Sequence, residues 1–418
     1  MLGLESFLSQ SRFTPYQWKL FIFLSVACLF EGYDFMALTQ ILPELRSSMG
    51  VSRTGAGLLV GVVNFGTVIA YLLVRGADRW GRKRVLTVTI AGYTIFTFLT
   101  AFSPNIYVFG LLQMVARVFL IGEWATSMVI AAEEFPAKHR GMVIGLLNAF
   151  TSLGAIICAG IVPLLLTTSY SWRAVYFVGI IPLLILGFAR RGLKETDRWA
   201  AVRDRQVSAG STQQRSMFAI WKTPHKKRVL QLSAIWFLAY ICTQNGITFW
   251  KEFVVTDRGW EAADVGKAIT LAALLSMPMV FGAGVLLDAI GRRKGGAVIF
   301  ILGAAGVFGC YTLHGFWPLT ASLVFGIFGA SAVPPVLNAF TTELFPTEYR
   351  GDAFAWANNL LGRLGYVLSP FVVGFAAERV GWGPAVSATA LFQLLSLVLI
   401  LVLLPETNQR ELEETAAT

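Results

Sequence analysis

Charged side chains are scarce in this chain. Asp, Glu, Lys and Arg make up 14% of its 418 residues, against about 25% in an average soluble domain. With 56% apolar residues and a mean hydropathy of +0.64, that scarcity excludes a water-soluble globular protein. Histidine is rarer still. His139, His225 and His314 stand apart, so no Ser/His/Asp set or histidine-based metal site can be assembled from them. A phosphate-cradling glycine loop followed by Lys-Ser/Thr is missing too, which argues against an ATP-hydrolysing machine or another enzyme. The four cysteines, Cys28, Cys158, Cys242 and Cys310, sit in separate apolar stretches without metal spacing. They read as small packing residues, and no cofactor or metal is expected.

What the chain has in quantity is long apolar runs. A helix needs roughly 20 such residues to cross a bilayer, and twelve candidates recur, at 18–43, 54–76, 85–102, 105–130, 141–166, 173–189, 229–250, 263–287, 296–313, 317–341, 352–377 and 384–404. The fold expected is all-α, integral to the membrane, in two bundles of six helices. Residues 1–189 form the N-terminal bundle, 190–228 a linker, 229–404 the C-terminal bundle and 405–418 a tail. The linker carries 11 basic and 3 acidic residues around a flexible Ser/Gly/Gln tract.

Lys and Arg set the orientation, because short basic loops stay in the cytoplasm. Only Arg46, Arg53, Arg173, Lys251, Arg258, Lys267 and Arg379 fall on one side, with Arg117 and Arg363 inside spans. The remaining basic residues fall on the other side, which predicts cytoplasmic termini in a bacterial inner (plasma) membrane. Topology thus accounts for the net charge of +10, and nucleic acid is not an expected partner. Leu20 to Leu42 is too long for the apolar core of a cleaved signal, so the first span is expected to be retained.

Two signatures recur at one offset of 210 residues. Asp78-Arg79-Trp80-Gly81-Arg82-Lys83 returns as Asp288-Ala289-Ile290-Gly291-Arg292-Arg293, and Glu133-Glu134-Phe135-Pro136 as Glu343-Leu344-Phe345-Pro346. A duplicated half, with corresponding loops at corresponding places, explains both. The carboxylates and guanidiniums of such loops can pair in one conformer and part in the other. Asp78, Arg79, Gly81, Arg82, Asp288, Gly291 and Arg292 are therefore gating candidates. In these loops the chain resembles the major facilitator superfamily of secondary transporters. That resemblance implies two six-helix bundles that rock about a central site, working as a monomer.

Inside the spans, a charge near the bilayer centre costs at least about 2.5 kcal/mol and usually marks a pathway. The candidates are Glu31, Asp34, Arg117, Glu123 and Arg363. Glu31 and Asp34, at i and i+3, share one helix face. Glu123 follows Arg117 by six residues, on another face. A buried carboxylate beside an arginine can exchange pairing for protonation, so Asp34, Glu31, Glu123 and Arg117 are assigned to proton coupling. Arg363 has no mid-membrane acid in its own half and suits a substrate anion. Asn358 and Asn359, about one turn away, and Tyr33 complete the expected substrate contacts.

The Gly362-Arg363-Leu364-Gly365 stretch is similar to the eleventh span of organic-anion and aromatic-acid transporters, where that arginine attracts the substrate carboxylate. Glu31-Gly32-Tyr33-Asp34 resembles the first-span motif of aromatic-acid/proton symporters. Span four departs from the family pattern. Aligned on Gly122-Glu123, the usual arginine falls on Gln113, and Arg117 takes a glycine position. The function expected is proton symport that imports a small organic anion, an aromatic or other monocarboxylate. Export of drugs or metabolites by proton antiport and a non-transporting membrane sensor are the alternatives.

Overall fold

The computed structural model describes residues 13–181 and 218–408. Every regular element in these residues is helical. In chain order the helices are α1 (Pro15–Met49), α2 (Arg53–Trp80), α3 (Arg82–Thr100), α4 (Ile106–Glu134), α5 (Ala137–Leu166), α6 (Trp172–Phe177), α7 (Lys226–Thr248), α8 (Trp250–Thr256), α9 (Ala262–Ile290), α10 (Arg292–Thr312), α11 (Phe316–Glu343), α12 (Thr347–Phe354), α13 (Arg363–Val380), α14 (Trp382–Ser387) and α15 (Ala390–Leu403). Nine helical stretches among the described residues are long and apolar enough to cross a membrane. Helices α3 and α7 are long but more polar. The segment beginning at Trp172 is described only to residue 181, so most of the expected sixth span and of the linker lies outside the described residues.

Local chemistry sets the helix ends. Thr14 and Gln17 form a reciprocal capping box at the start of α1, satisfying two backbone N–H groups that the helix itself cannot. Asn105 caps α4 through the N–H groups of Tyr107 and Val108, which makes the short 103–105 break a true helix boundary. Gly81 and Gly291 adopt φ of 92° and 94°, a region that favours glycine. Each turns the chain sharply into α3 or α10, so the repeated signature is also a repeated backbone turn.

Three expected spans are interrupted. The seventh breaks at Phe249 into α7 and α8, and the twelfth between α14 and α15. The eleventh contains a π-helical stretch, Ala355–Gly362, immediately before Arg363. Large apolar side chains lie exposed around the outside of the bundle, such as Leu164, Val285, Leu391 and Val402. In water such a girdle would aggregate; in lipid it is the expected surface.

Apolar packing divides unequally between the two ends. Taking the Gly81 and Gly291 turns as the inner end, each half has its own inner cluster, one around Leu24, Tyr93 and Leu147 and the other around Trp236, Phe300 and Phe340. The outer end has a single cluster that joins both halves through Ile41, Trp172, Trp250, Phe253 and Trp382. Glycines press α2 against α13 there. A Cβ on Gly57 would lie 2.2 Å from the Pro370 carbonyl oxygen, and one on Gly61 2.7 Å from that of Val367.

Polar groups fasten the same end. Arg46 pairs with Glu252, and buried Lys251 reaches both the Gln40 carbonyl oxygen and the Glu44 carboxylate, the latter at 3.1 Å. Arg53 pairs with Asp257 at 2.6 Å and donates to the Ala377 carbonyl oxygen. The halves are thus locked at the outer end and packed separately at the inner one.

Candidate functional site

Between the halves, inward of this lock, lies a cavity of about 490 Å³, within the range of small-molecule sites. Phe35 and Met36 of α1, Asn148 and Ser152 of α5, Tyr240 and Gln244 of α7, Phe281 of α9, Pro334 of α11 and Tyr366 of α13 are among the residues lining it. The wall is mostly apolar and aromatic, with hydroxyl and amide groups at intervals.

Each residue of the Glu31-Gly32-Tyr33-Asp34 motif has a separate task. Gly32 lets α1 meet α5, since a Cβ there would stand 1.8 Å from the Thr151 carbonyl oxygen. Tyr33 is buried, and its hydroxyl donates to the Val175 carbonyl oxygen at 3.1 Å. Tyr33 is not among the residues lining the cavity, and its hydroxyl is engaged by this bond. Asp34 accepts a hydrogen bond from Thr97 of α3 at 3.2 Å through Oδ2, while its buried Oδ1 has no partner. Glu31 Oε2 is buried and unpartnered as well.

Glu123 is fully buried. Its Oε1 accepts from Ser127 Oγ at 2.6 Å, one turn along α4, and its Oε2 has no partner. The charges of Glu123, Arg117 and Asp34 all act on Glu31. The three carboxyls and Arg117 therefore form one buried cluster in the N-terminal half, set behind the cavity wall.

Arg117 makes no ion pair within it. Among the described residues no carboxylate approaches Arg117 within 4 Å. Its guanidinium carbon lies 4.7 Å from the centroid of the Phe35 ring, a cation–π contact worth about 0.5 to 2 kcal/mol. Gln113, one turn outward on α4, donates to Thr100 Oγ1 at 3.1 Å.

Arg363 opens α13, about 24 Å along the continuous Thr347-to-Val380 stretch at 1.5 Å per residue. It makes no ion pair or hydrogen bond among the described residues, and its Nε is buried without a partner. The expected neighbours fall differently. Asn358 Oδ1 accepts the Tyr240 hydroxyl at 2.7 Å, so it faces α7, and neither Asn358 nor Asn359 lines the cavity. Arg363 is half-buried and, like Asn358 and Asn359, is not among the residues lining the cavity. Its charge acts on Tyr240 and Tyr366, whose rings meet edge to face at 5.4 Å. Sequence reasoning did not single out Tyr240 or Phe35. Tyr240 stands four residues before Gln244 on the cavity face of α7, and that spacing was the available signal.

At the inner end the two repeated loops are built alike. Arg82 Nη2 pairs with Glu133 at 3.2 Å, and Arg292 Nη2 pairs with Glu343 at 3.3 Å. Arg292 also binds Asp288 at 2.5 Å. The side chains of Asp78 and Arg79 lie outside the described residues. Glu406, just beyond α15, accepts the backbone N–H groups of Arg292 and Arg293. Burial pushes its carboxyl up, yet the N–H groups of Arg293, Asn408, Arg292 and Thr407 outweigh this and hold it below the usual range. A helix N-terminus favours such an anion.

The Major Facilitator Superfamily model matches residues 24–370 and 283–417. This chain belongs to that superfamily. It is a multi-pass membrane transporter, not an enzyme. Its relatives include a cis,cis-muconate transport protein of Acinetobacter baylyi (27% identical, covering 92% of this chain and 94% of that one). Another is the 4-hydroxybenzoate transporter PcaK of Pseudomonas aeruginosa (24% identical, covering 95% and 96%). Among solved structures it is similar to the xylose transporter XylE from E. coli, with a TM-score of 0.73 and 17% identity over 96% of this chain and 99% of that one. This likeness carries the fold alone.

Proposed function

We propose that this member of the Major Facilitator Superfamily is a proton-coupled symporter that imports a small organic anion, an aromatic or other monocarboxylate. The observation that carries the reading is Arg363, a half-buried guanidinium well inside the eleventh span that has no ion-pair or hydrogen-bond partner among the described residues and whose charge acts on the cavity tyrosines Tyr240 and Tyr366. A cation held partly out of water without a partner is costly, and a ligand carboxylate that fits its planar fork relieves the cost. The apolar wall suits a ring or short hydrocarbon body. Relatives named for gallate and 4-hydroxybenzoate support an aromatic monocarboxylate, and one named for cis,cis-muconate supports an organic anion more broadly.

Asp34 and Glu31 carry the proton, with Glu123 as a further acceptor. Each has one oxygen without a partner, so gaining a proton breaks no hydrogen bond there, and Arg117 sets the local field. With cytoplasmic termini, the inner end faces the cytoplasm and the conformation is inward-facing. The Asp288–Arg292–Glu343 cluster and its repeat around Arg82 act on the inner end as the halves rock.

Uptake of radiolabelled 4-hydroxybenzoate into proteoliposomes, driven by an acid-outside gradient, tests this reading. Arg363→Ala should lower uptake at least tenfold, and Arg363→Lys should keep a measurable part of it. Unchanged uptake and binding in Arg363→Ala would remove the anion assignment.

A further inference from the structure

Among the described residues, the side chain of Asp34 has a single hydrogen-bond donor, the Thr97 hydroxyl of α3, 3.2 Å from Oδ2. A threonine inside a helix ordinarily turns its hydroxyl back to a carbonyl oxygen of the preceding turn. Thr87, Thr89 and Thr100 of α3 do so, donating to Lys83, Leu86 and Phe96 at 2.8, 3.0 and 2.8 Å. Thr97 instead reaches across to α1. Gly179, in the turn just beyond α6, leaves room for this. A Cβ there would lie 2.6 Å from Thr97 Cγ2 and 3.9 Å from Asp34 Oδ1, so bare backbone seats the threonine methyl and borders the unpartnered carboxylate oxygen. Both side chains are buried. Arg117 of α4, Glu31 and Tyr33 of α1, Tyr93 of α3, Cys158 of α5 and Tyr176 of α6 are near enough for their charges and that of Asp34 to interact. None of them donates a hydrogen bond to it among the described residues.

We propose that Thr97 is the positioning residue of the proton site: its hydroxyl holds the ionised Asp34 carboxylate and so sets the pH at which the transporter loads and releases its proton. The inference rests on the reading that Asp34 carries that proton. A hydroxyl donor favours the ionised carboxylate over the neutral acid, because a hydrogen bond to a charged acceptor is the stronger one. The proton, taken from water, arrives on Oδ1, which has no partner. Oδ2 keeps its bond to Thr97 meanwhile, so loading and release leave α1 and α3 joined and the carboxylate fixed in place.

Uptake of radiolabelled 4-hydroxybenzoate into proteoliposomes, at one lumenal pH and a series of external pH values, tests this. Thr97→Val keeps the shape of the side chain and removes the donor, so Asp34 holds its proton to higher pH. The limb on which uptake falls with rising external pH should move alkaline by about half a unit or more, with KM on the acid plateau within about twofold of wild type. Thr97→Ser, which keeps the donor, should return the limb towards its wild-type place. Gly179→Ala displaces Thr97 without changing its chemistry and should move the limb in the same direction as Thr97→Val, which keeps the test decisive if Thr97→Val does not fold. A limb that stays in place or moves to acid pH in these two variants, while Asp34→Asn abolishes uphill uptake, overturns the role of Thr97 and leaves the proton reading standing. Proton-driven uptake that survives in Asp34→Asn, or is absent from the wild-type protein, overturns both.

Discussion

At the scale of residues, the first-span motif shows how closely packing and chemistry are interleaved. Gly32 admits no side chain, because the Thr151 carbonyl oxygen occupies the place of its Cβ. Gly32→Ala should cost about 3 kcal/mol or more, the upper range for overpacking, and lower the thermal midpoint in detergent by several degrees. Tyr33→Phe removes one buried hydrogen bond, worth about 1 kcal/mol, and should leave uptake within about twofold; a tenfold loss would return Tyr33 to the substrate site. Asp34→Asn and Glu31→Gln should abolish uphill, proton-driven uptake while sparing exchange of labelled for unlabelled substrate, measured in the same vesicles. Loss of both activities would instead assign these acids to binding. The mid-membrane charges were legible in the sequence, because ionisable residues are conspicuous among apolar ones. Which way each points was not, since a helix apolar on nearly every side gives little sign of its facing. Hence Tyr33 and Asn358 were placed in the substrate site, whereas their polar ends are engaged by Val175 and Tyr240.

At the scale of elements, the outer ends of α1, α2, α8 and α13 act as a lock. Removing one member of a buried ion pair costs about 3 to 5 kcal/mol, and Glu252 and Lys251 are both at most 1% exposed. Lys251→Met and Glu252→Gln should therefore weaken the closed outer end and populate the opposite conformer. Ser152→Cys provides the probe, because Ser152 lines the cavity and all four native cysteines are buried. Its labelling by a membrane-impermeant maleimide from outside should rise at least severalfold when the lock is broken. No change would mean that these pairs do not hold the outer end. The sequence exposed Arg46, Arg53 and Lys251 only as exceptions to the charge rule. Their partners lie some 200 residues away, beyond the reach of any local pattern. The interruption at Phe249 and the π-helical stretch before Arg363 were equally hidden, because no proline marks either.

For the whole molecule, the 210-residue repeat predicted the architecture well. It recovers the paired Gly81 and Gly291 turns and the matching Arg82–Glu133 and Arg292–Glu343 bridges. The state of the machine was not written there. One shared cluster outside and two separate clusters inside arise from the relative placement of the halves, which a duplicated sequence leaves undetermined. The functional asymmetry also belongs to this scale: the buried acids Glu31, Asp34 and Glu123, none of them in an ion pair among the described residues, lie in the N-terminal half, and Arg363, also without a partner among those residues, stands in the other. Coupling then follows if protonation in one half and anion binding in the other favour the same rocking movement. The direct measurement is lumenal pH in proteoliposomes, followed with an entrapped dye as carboxylates are added outside, against protein-free vesicles that report passive acid permeation. The account predicts acidification above that background for a subset of acids, lost in Arg363→Ala. No acidification by any carboxylate, with proton release on addition of organic cations, would contradict it and indicate antiport.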